Sequence, residues 1–390
     1  MNKGKYVFAQ LMDFINDYEF SKCVERYQGD YRIRDLSCWN QFLCMAFGQI
    51  THRESVTDII TCLNAHKKNA YHLGIKQVVA ISTLTRANEN RDWRIYADFA
   101  QHLIRLTRPL YINDNDFKVD IDNTVYALDS STIDLCLSVF VWAKFRKHKA
   151  AVKLHTLLDL RGDLPTFIDV TDGKTHDVNI LDRIIFEPGA FYIMDKGYVD
   201  FERLYSIHQS QAFFVIRAKD NLKFKRIKAS KVDKENGLRC DQTIVLTIPK
   251  SRDGYPEMLR RVKYYDSDND LLLVLLTNNF EIDALDVANL YHHRWRIELF
   301  FKWIKQHLRI KKFWGYSRNA VKTQIWIAVC IYLLVAYVKA NIKTTLSLYE
   351  MLQILSVSIF DKTAINELLT DFSKNENILL DCNQLKLFEF

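Results

Sequence analysis

The sequence predicts an α/β protein: a helical N-terminal region, then a mixed five-stranded sheet with helices, interrupted by a β-rich insertion. Three observations carry this. Residues 1–118 show repeated amphipathic stretches, few β-branched runs and no proline before Pro109. From Asp120 the pattern changes to short apolar runs of strand length, alternating with helical stretches. A third region, 220–276, is again strand-like but lies where a single strand–helix crossover would need far fewer residues.

In the helical region Ser37 and Ser55 are placed to cap helices, each preceding an apolar periodic stretch. Residues 80–93 read as a further capped helix that exposes Thr83, Arg86, Asn90 and Asn88. Arg and Asn are shaped to read guanine and adenine edges, and short polar groups at a helix start suit phosphates. An ordinary surface helix carries the same residues.

Strands are expected at 125–129, 151–159 and 165–170, then a helix at 177–186, a strand at 191–195, a helix at 199–209 and a strand at 212–218. This order of elements is that of an RNase H-like fold. In that fold the first and fourth strands end side by side, which places Asp129 next to Asp195. Within 220–276, residues 242–248, 259–265 and 271–276 read as strands joined by turns at Asp253-Gly254 and Asp268-Asn269. The expected division is 1–118 helical, 119–219 first part of the core, 220–276 insertion, 277–345 second part of the core, and 346–390 C-terminal helices with a loose tail. Asp177 is expected to cap the helix it opens, and His155 to be a satisfied sheet residue. The 14-residue apolar run from Ile325 to Val338 is short for a bilayer span and reads as a buried core helix.

Lys and Arg number 54 against 47 Asp and Glu, a net charge of +7. The excess is local. Residues 217–239 carry nine basic and three acidic side chains, and residues 302–322 carry seven basic and none acidic. Two such segments suit a polyanion bound through counterion release, although each alone could be a solvated face. The eight cysteines are scattered, with no Cys-x2-Cys spacing, which argues against zinc and fits reduced thiols in a cytosolic protein. Residues 1–6 begin no secretory signal, and with the apolar run at 325–338 too short for a bilayer, no membrane partner is expected.

Asp129 and Asp195 each end a short apolar run, Val125–Leu128 and Phe191–Met194. Either could be an ordinary turn residue. A third acid, Glu298, stands in a segment where Tyr291, Arg294, Glu298 and Lys305 fall within roughly 60° on a helix of about 100° per residue. Ile297, Phe301, Ile304 and Leu308 form the adjoining apolar face. Three carboxylates without thiolate or imidazole are a donor set for hard divalent cations, and two such ions suit phosphodiester cleavage and transfer. His292 and His293 precede Glu298 by six and five residues, which is off the spacing of helical metal ligands.

The spacing Tyr-x2-Arg-x3-Glu-x6-Lys of Tyr291, Arg294, Glu298 and Lys305, with Asp129-Ser-Ser-Thr, Lys153–Asp159, Thr171–Asp177 and Asp195-Lys-Gly-Tyr, resembles the DDE transposases of bacterial insertion sequences with a YREK signature. The resemblance runs from about residue 30 to residue 345. It implies that Asp129, Asp195 and Glu298 hold two Mg2+ ions, with Mn2+ able to substitute. It further implies that Tyr291, Arg294 and Lys305 hold phosphates near the cleaved end, and Lys302 joins them by position. The N-terminal domain, through Thr83, Arg86 and Asn90, would bind the terminal inverted repeats. Partners would be double-stranded DNA, both element ends and target, with a homodimer in the synaptic complex, in the bacterial cytoplasm at the nucleoid. In similar transposases the insertion holds a flipped base while a hairpin forms, in some of them on a tryptophan. All seven tryptophans here lie outside 220–276, leaving Tyr255, Tyr264 or Tyr265 as substitutes.

The reading is therefore a metal-dependent transposase performing strand cleavage and strand transfer. An RNase H-like structure-specific nuclease, a domesticated silent DNA-binding protein and a cytosolic scaffold remain as alternatives. The first needs no long insertion, the second tends to lose its acids, and the third leaves acids and basic segments unexplained.

Overall fold

The computed structural model describes residues 4–370, apart from 67–70, 76–78, 113–120, 148, 268, 309 and 311. The expected tail and Asp268 lie outside the described residues. In chain order the helices are α1 (Val7–Met12), α2 (Asp17–Arg26), α3 (Cys38–Ile50), α4 (Val56–Ala65), α5 (Ile81–Asn90), α6 (Arg94–Thr107), α7 (Phe201–Gln209), α8 (Pro249–Gly254), α9 (Ala284–His292), α10 (Trp295–His307), α11 (Arg318–Ile342), α12 (Leu348–Ser358) and α13 (Ile365–Leu368). The strands are β1 (Val125–Leu135), β2 (Lys144–Arg146), β3 (Lys149–Asp159), β4 (Leu164–Asp172), β5 (Phe191–Met194), β6 (Phe213–Arg217), β7 (Phe224–Ser230), β8 (Leu238–Leu246), β9 (Leu259–Asp266) and β10 (Leu271–Thr277). The chain divides into two compact units, residues 1–110 with 303–390, and residues 111–302.

The first unit is helical and is built around α11, against which α3, α5 and α6 pack. Every residue from Ile325 to Ala336 is buried. Apolar on all sides, α11 is long and apolar enough to cross a membrane by length and composition, but its burial makes it a core helix. Phe20, Phe42, Tyr96 and Phe99 meet at centroid distances of 5.1 to 6.4 Å and fill the space beside α2 and α3. Ser37 and Ser55 do cap α3 and α4, accepting from the backbone N–H of Asn40 and Asp58. Ser317 caps α11 in the same way, through the N–H of Ala320. Its replacement by alanine should cost about 1 kcal/mol, seen as a lower urea midpoint, with Ser317→Asp restoring it. Helix α5 departs from expectation. Ala80 opens it without a side-chain cap, and Asn88 is buried, accepting from Gln41 at 2.7 Å; of the four residues expected to face solvent, Arg86 and Asn90 are exposed and Thr83 is half-buried.

The second unit holds one mixed sheet in the order β2-β3-β1-β5-β6-β10-β9-β8-β7, with β4 also paired to β3. Strands β4-β3-β1-β5-β6 are the five expected from the sequence: β1 is antiparallel to β3 and parallel to β5, and β5 is parallel to β6. The segment 220–276 does not form a sheet of its own. Its last strand, β10, pairs with β6 through Thr277↔Val215, and β9, β8 and β7 follow antiparallel, so the core sheet is prolonged. Leu275 and Leu276 are buried at this junction, covering what would otherwise be an open sheet edge. Strand β7, Phe-Lys-Arg-Ile-Lys-Ala-Ser, is exposed along most of its length and shows no apolar alternation, so the sequence did not reveal it. A short helix with proline in its first turn, α8, replaces the expected Asp253-Gly254 turn. The expected helix at 177–186 is a 3-10 turn over Asp177–Arg183. Leu128, Tyr192, Met194, Leu204, Ile207 and Phe214 form the centre of the core beneath α7.

Candidate active site

Strands β1 and β5 lie in parallel register, Leu128 opposite Met194, so the next residues, Asp129 and Asp195, leave the core side by side. Both strands are buried up to that point and both aspartates are half-exposed. The third acid arrives from α10. The expected continuous helix through Tyr291 and Lys305 is interrupted: α9 ends at His292, and the amides of Arg294, Arg296 and Ile297 bond three residues back, to Tyr291, His293 and Arg294. This tighter turn shifts the helical phase. It sends the Tyr291 hydroxyl to Asp195 Oδ1, at 3.2 Å, and the Arg294 guanidinium between the other two acids.

Arg294 donates through one Nη to Asp129 Oδ2 at 3.0 Å and through the other to Glu298 Oε1 at 2.6 Å. Its side chain is 19% exposed and that of Asp129 23%, whereas Glu298 is largely in solvent. Burial pushes the Asp129 carboxyl up to about 6; the Ser130 N–H and Arg294 oppose this, and the charges of Glu298 and Asp195 add to it. Asp129 therefore feels the charges of both other acids. Burial likewise pushes Tyr291 up to about 12, so its hydroxyl stays a neutral donor to Asp195.

Among the described residues no three His, Cys, Asp or Glu side chains are gathered closely enough to hold an ion as they stand, and Arg294 spans the gap between Asp129 and Glu298. The donor set still fits a hard divalent cation. All three candidates are carboxylates, and a positive group already bridges two of them. His292 is exposed, and burial holds His293 down at about 4. Lys302 is exposed and Lys305 half-buried along α10. Thr83, Arg86 and Asn90 lie on α5 of the other unit.

Three further residues differ from what the sequence suggested. Trp295, 46% exposed, lines a cleft of about 400 Å³ with Arg217, Asp266, Asn269, Leu271 and Tyr291. Its signal was present, since Trp295 directly follows Arg294, but apolar periodicity alone gives no reason to leave it in solvent. Tyr255 is unsuited to base stacking because it is buried and hydrogen-bonded to His208 at 2.7 Å. Asp177 does not cap its turn; its carboxylate accepts from Ser130 Oγ at 2.6 Å and from Lys153 Nζ at 3.0 Å.

Residues 121–334 match the family described as the transposase DDE domain, and residues 3–76 match one described only as a domain of unknown function. A Sinorhizobium fredii protein bearing the transposase name y4zB is 35% identical over 227 residues, 57% of this chain and 64% of that protein. A Geobacillus stearothermophilus protein named as a probable transposase for the insertion sequence element IS5377 is 28% identical over 54% of this chain and 55% of its own length. The match thus spans somewhat over half the length of these two relatives. A Synechocystis protein named for the element IS4SA is 25% identical over 66% of this chain and 71% of its own. The piggyBac transposase synaptic complex with hairpin DNA overlaps 97% of this chain and 82% of that one at 10% identity and a TM-score of 0.46, too distant to carry an argument. With more than half its residues inside the matched domain, the chain belongs to the DDE transposases of bacterial insertion sequences.

Proposed function

We propose that the chain binds the terminal inverted repeats of its insertion sequence and catalyses metal-dependent strand cleavage and strand transfer, the chemistry of cut-and-paste transposition. One observation supports this above the others: Arg294 bridges Asp129 and Glu298, Tyr291 holds Asp195, and the charges of both Glu298 and Asp195 bear on Asp129. Asp129, Asp195 and Glu298 would hold two Mg2+ ions, with Mn2+ able to substitute. Bound there, the ions would supply an activated water for hydrolysis and stabilisation of the leaving 3′ oxygen.

The remaining work falls to the protein. Asp129 faces both partner acids and is the candidate for the shared ligand. Arg294 bridges Asp129 and Glu298 in the present arrangement; once those carboxylates are otherwise satisfied, its guanidinium is available to a DNA phosphate. Lys302 and Lys305 extend the positive charge along α10, and Tyr291 keeps the Asp195 carboxylate oriented. These four matching or neighbouring positions are the proposed phosphate contacts. On the helical unit, Arg86 and Asn90 offer exposed donors for the inverted repeat, with Thr83 beside them. Two element ends brought together require two protomers, so a homodimer on DNA is part of the proposal, as is action at the bacterial nucleoid.

An end-cleavage assay tests the function: a duplex carrying the element's terminal repeat should be nicked in Mg2+ and left intact in EDTA. Specific binding without cuts in Mg2+ or Mn2+ would instead make the chain a silent DNA-binding protein. The bridging role of Arg294 gives a second expectation. Arg294→Gln removes a competing positive charge from Asp129 and Glu298, worth about 1 kcal/mol. Mn2+ should then bind about fivefold more tightly in the absence of DNA, read by calorimetry. Unchanged or weaker binding would mean that the guanidinium and the ion do not share these carboxylates.

A further inference from the structure

The Asp177 network lies on the strand residue next to Asp129 and is built in more detail than a turn requires. Ser130 faces two ways: its backbone N–H donates to Asp129 Oδ1 at 2.7 Å, and its hydroxyl donates to Asp177 Oδ1 at 2.6 Å. With Arg294 on Oδ2, both carboxylate oxygens of Asp129 are held. Asp177 is fixed in turn. Lys153 Nζ, 14% exposed, donates to Asp177 Oδ1 at 3.0 Å and to the Thr175 carbonyl at 2.8 Å. Behind it stands the fully buried His155, its Nε2 2.9 Å from Thr171 Oγ1 and its Nδ1 3.8 Å from Asp177 Oδ1 with no hydrogen-bond partner. The buried Tyr198, three residues after Asp195, feels the charges of both Asp129 and Asp177.

The arrangement is a relay of fixed contacts. Lys153 and His155 sit on β3, paired across from Thr132 and Ser130 of β1, so the sheet ladder sets their positions. Lys153 holds Asp177, Asp177 holds the Ser130 side chain, and the Ser130 backbone N–H holds an oxygen of Asp129. Lys153 supplies the counter-charge that lets a further carboxylate sit this near the acids. We propose that Asp177 is a positioning residue for Asp129, acting through Ser130, so that the cation affinity of the acid group depends on a carboxylate that need not touch the ion. The inference rests on the proposed role of Asp129 as a metal ligand. Partners that orient a metal ligand typically change affinity by about 10- to 100-fold when removed.

The test measures Mn2+ binding to the full-length protein by electron paramagnetic resonance, without DNA, for Asp177→Asn, Ser130→Ala, the double variant and Asp129→Asn, with circular dichroism melts of each. Expected is about a 10-fold weaker affinity in each single variant, little further loss in the double, and abolished site binding in Asp129→Asn. Melting temperatures near that of the intact protein would accompany these losses. Wild-type affinity in both Asp177→Asn and Ser130→Ala, with Asp129→Asn inactive in binding, would overturn this inference alone. Additive losses in the double variant would also overturn it, because the two residues would then act separately. Should one single variant fail to fold, the other decides by the same affinity criterion. Full Mn2+ affinity in Asp129→Asn would overturn the metal-ligand reading itself, and this inference with it.

Discussion

Asp129→Asn and Glu298→Gln are each expected to lower Mg2+-dependent nicking of an element-end duplex by roughly 1,000-fold or more, with binding of that duplex retained. The size follows from charge. Each substitution removes an anionic ligand from a site whose ions would stabilise several kcal/mol of developing charge, and about 4 kcal/mol corresponds to roughly three powers of ten. Glu298 is the cleaner probe. It is exposed on α10, so replacing it disturbs no core, whereas the Asp129 side chain is only 23% exposed; either change costs Arg294 one of its two bonds. Binding should survive because the phosphate contacts proposed here are separate side chains. Gel-shift and nicking assays on the same preparation read both quantities, and retained nicking in Glu298→Gln would remove that residue from the site.

The largest effect on stability is expected from Arg260→Met. Arg260 on β9 reaches Asp241 on β8 with a two-point contact, Nε to Oδ1 at 2.9 Å and Nη2 to Oδ2 at 3.0 Å, and donates to the Ile282 carbonyl at 2.5 Å. The two side chains are 9% and 13% exposed. Truncating one partner strands the other charge in a poorly solvated place, which typically costs about 3–5 kcal/mol. Because β8 and β9 belong to the same sheet as β1 and β5, the loss should appear in the unfolding of the strand-bearing unit, as a lower urea midpoint. Asp241→Asn in the same chain should recover part of it. A change below about 1 kcal/mol would show that Asp241 is hydrated well enough to stand alone.

Much of this architecture was legible because local signals and tertiary demands agreed. Val125–Leu128 and Phe191–Met194 read as buried strands, and their parallel register puts Asp129 and Asp195 together, although β1 runs on to Leu135 and so does not end at Asp129 as its apolar run suggested. Ser37 and Ser55 announced helix starts by a chemistry confined to four residues. What remained hidden depends on partners distant in sequence. Whether 220–276 forms its own sheet or prolongs another is decided by the pairing of β10 with β6, and nothing in Leu271–Thr277 names that partner. The interruption after His292 is a change of hydrogen-bond spacing within a run of good helix formers, which periodicity cannot show. Asp177 looked like a cap by type and position, yet Lys153 and Ser130 claim its carboxylate. At the candidate site, the sequence suggested which acids to gather, while the bridge made by Arg294 became visible only in three dimensions.

The central claim is that Asp129, Asp195 and Glu298 share one divalent-cation site. Iron-directed self-cleavage tests it most directly: Fe2+ is bound in place of Mg2+, and ascorbate with peroxide cuts the polypeptide where the ion sits. The account predicts cuts clustered near residues 129, 195 and 298, suppressed by excess Mg2+ and absent in Asp129→Asn. Cuts at only one of these three segments, or a pattern indifferent to Mg2+, would contradict it.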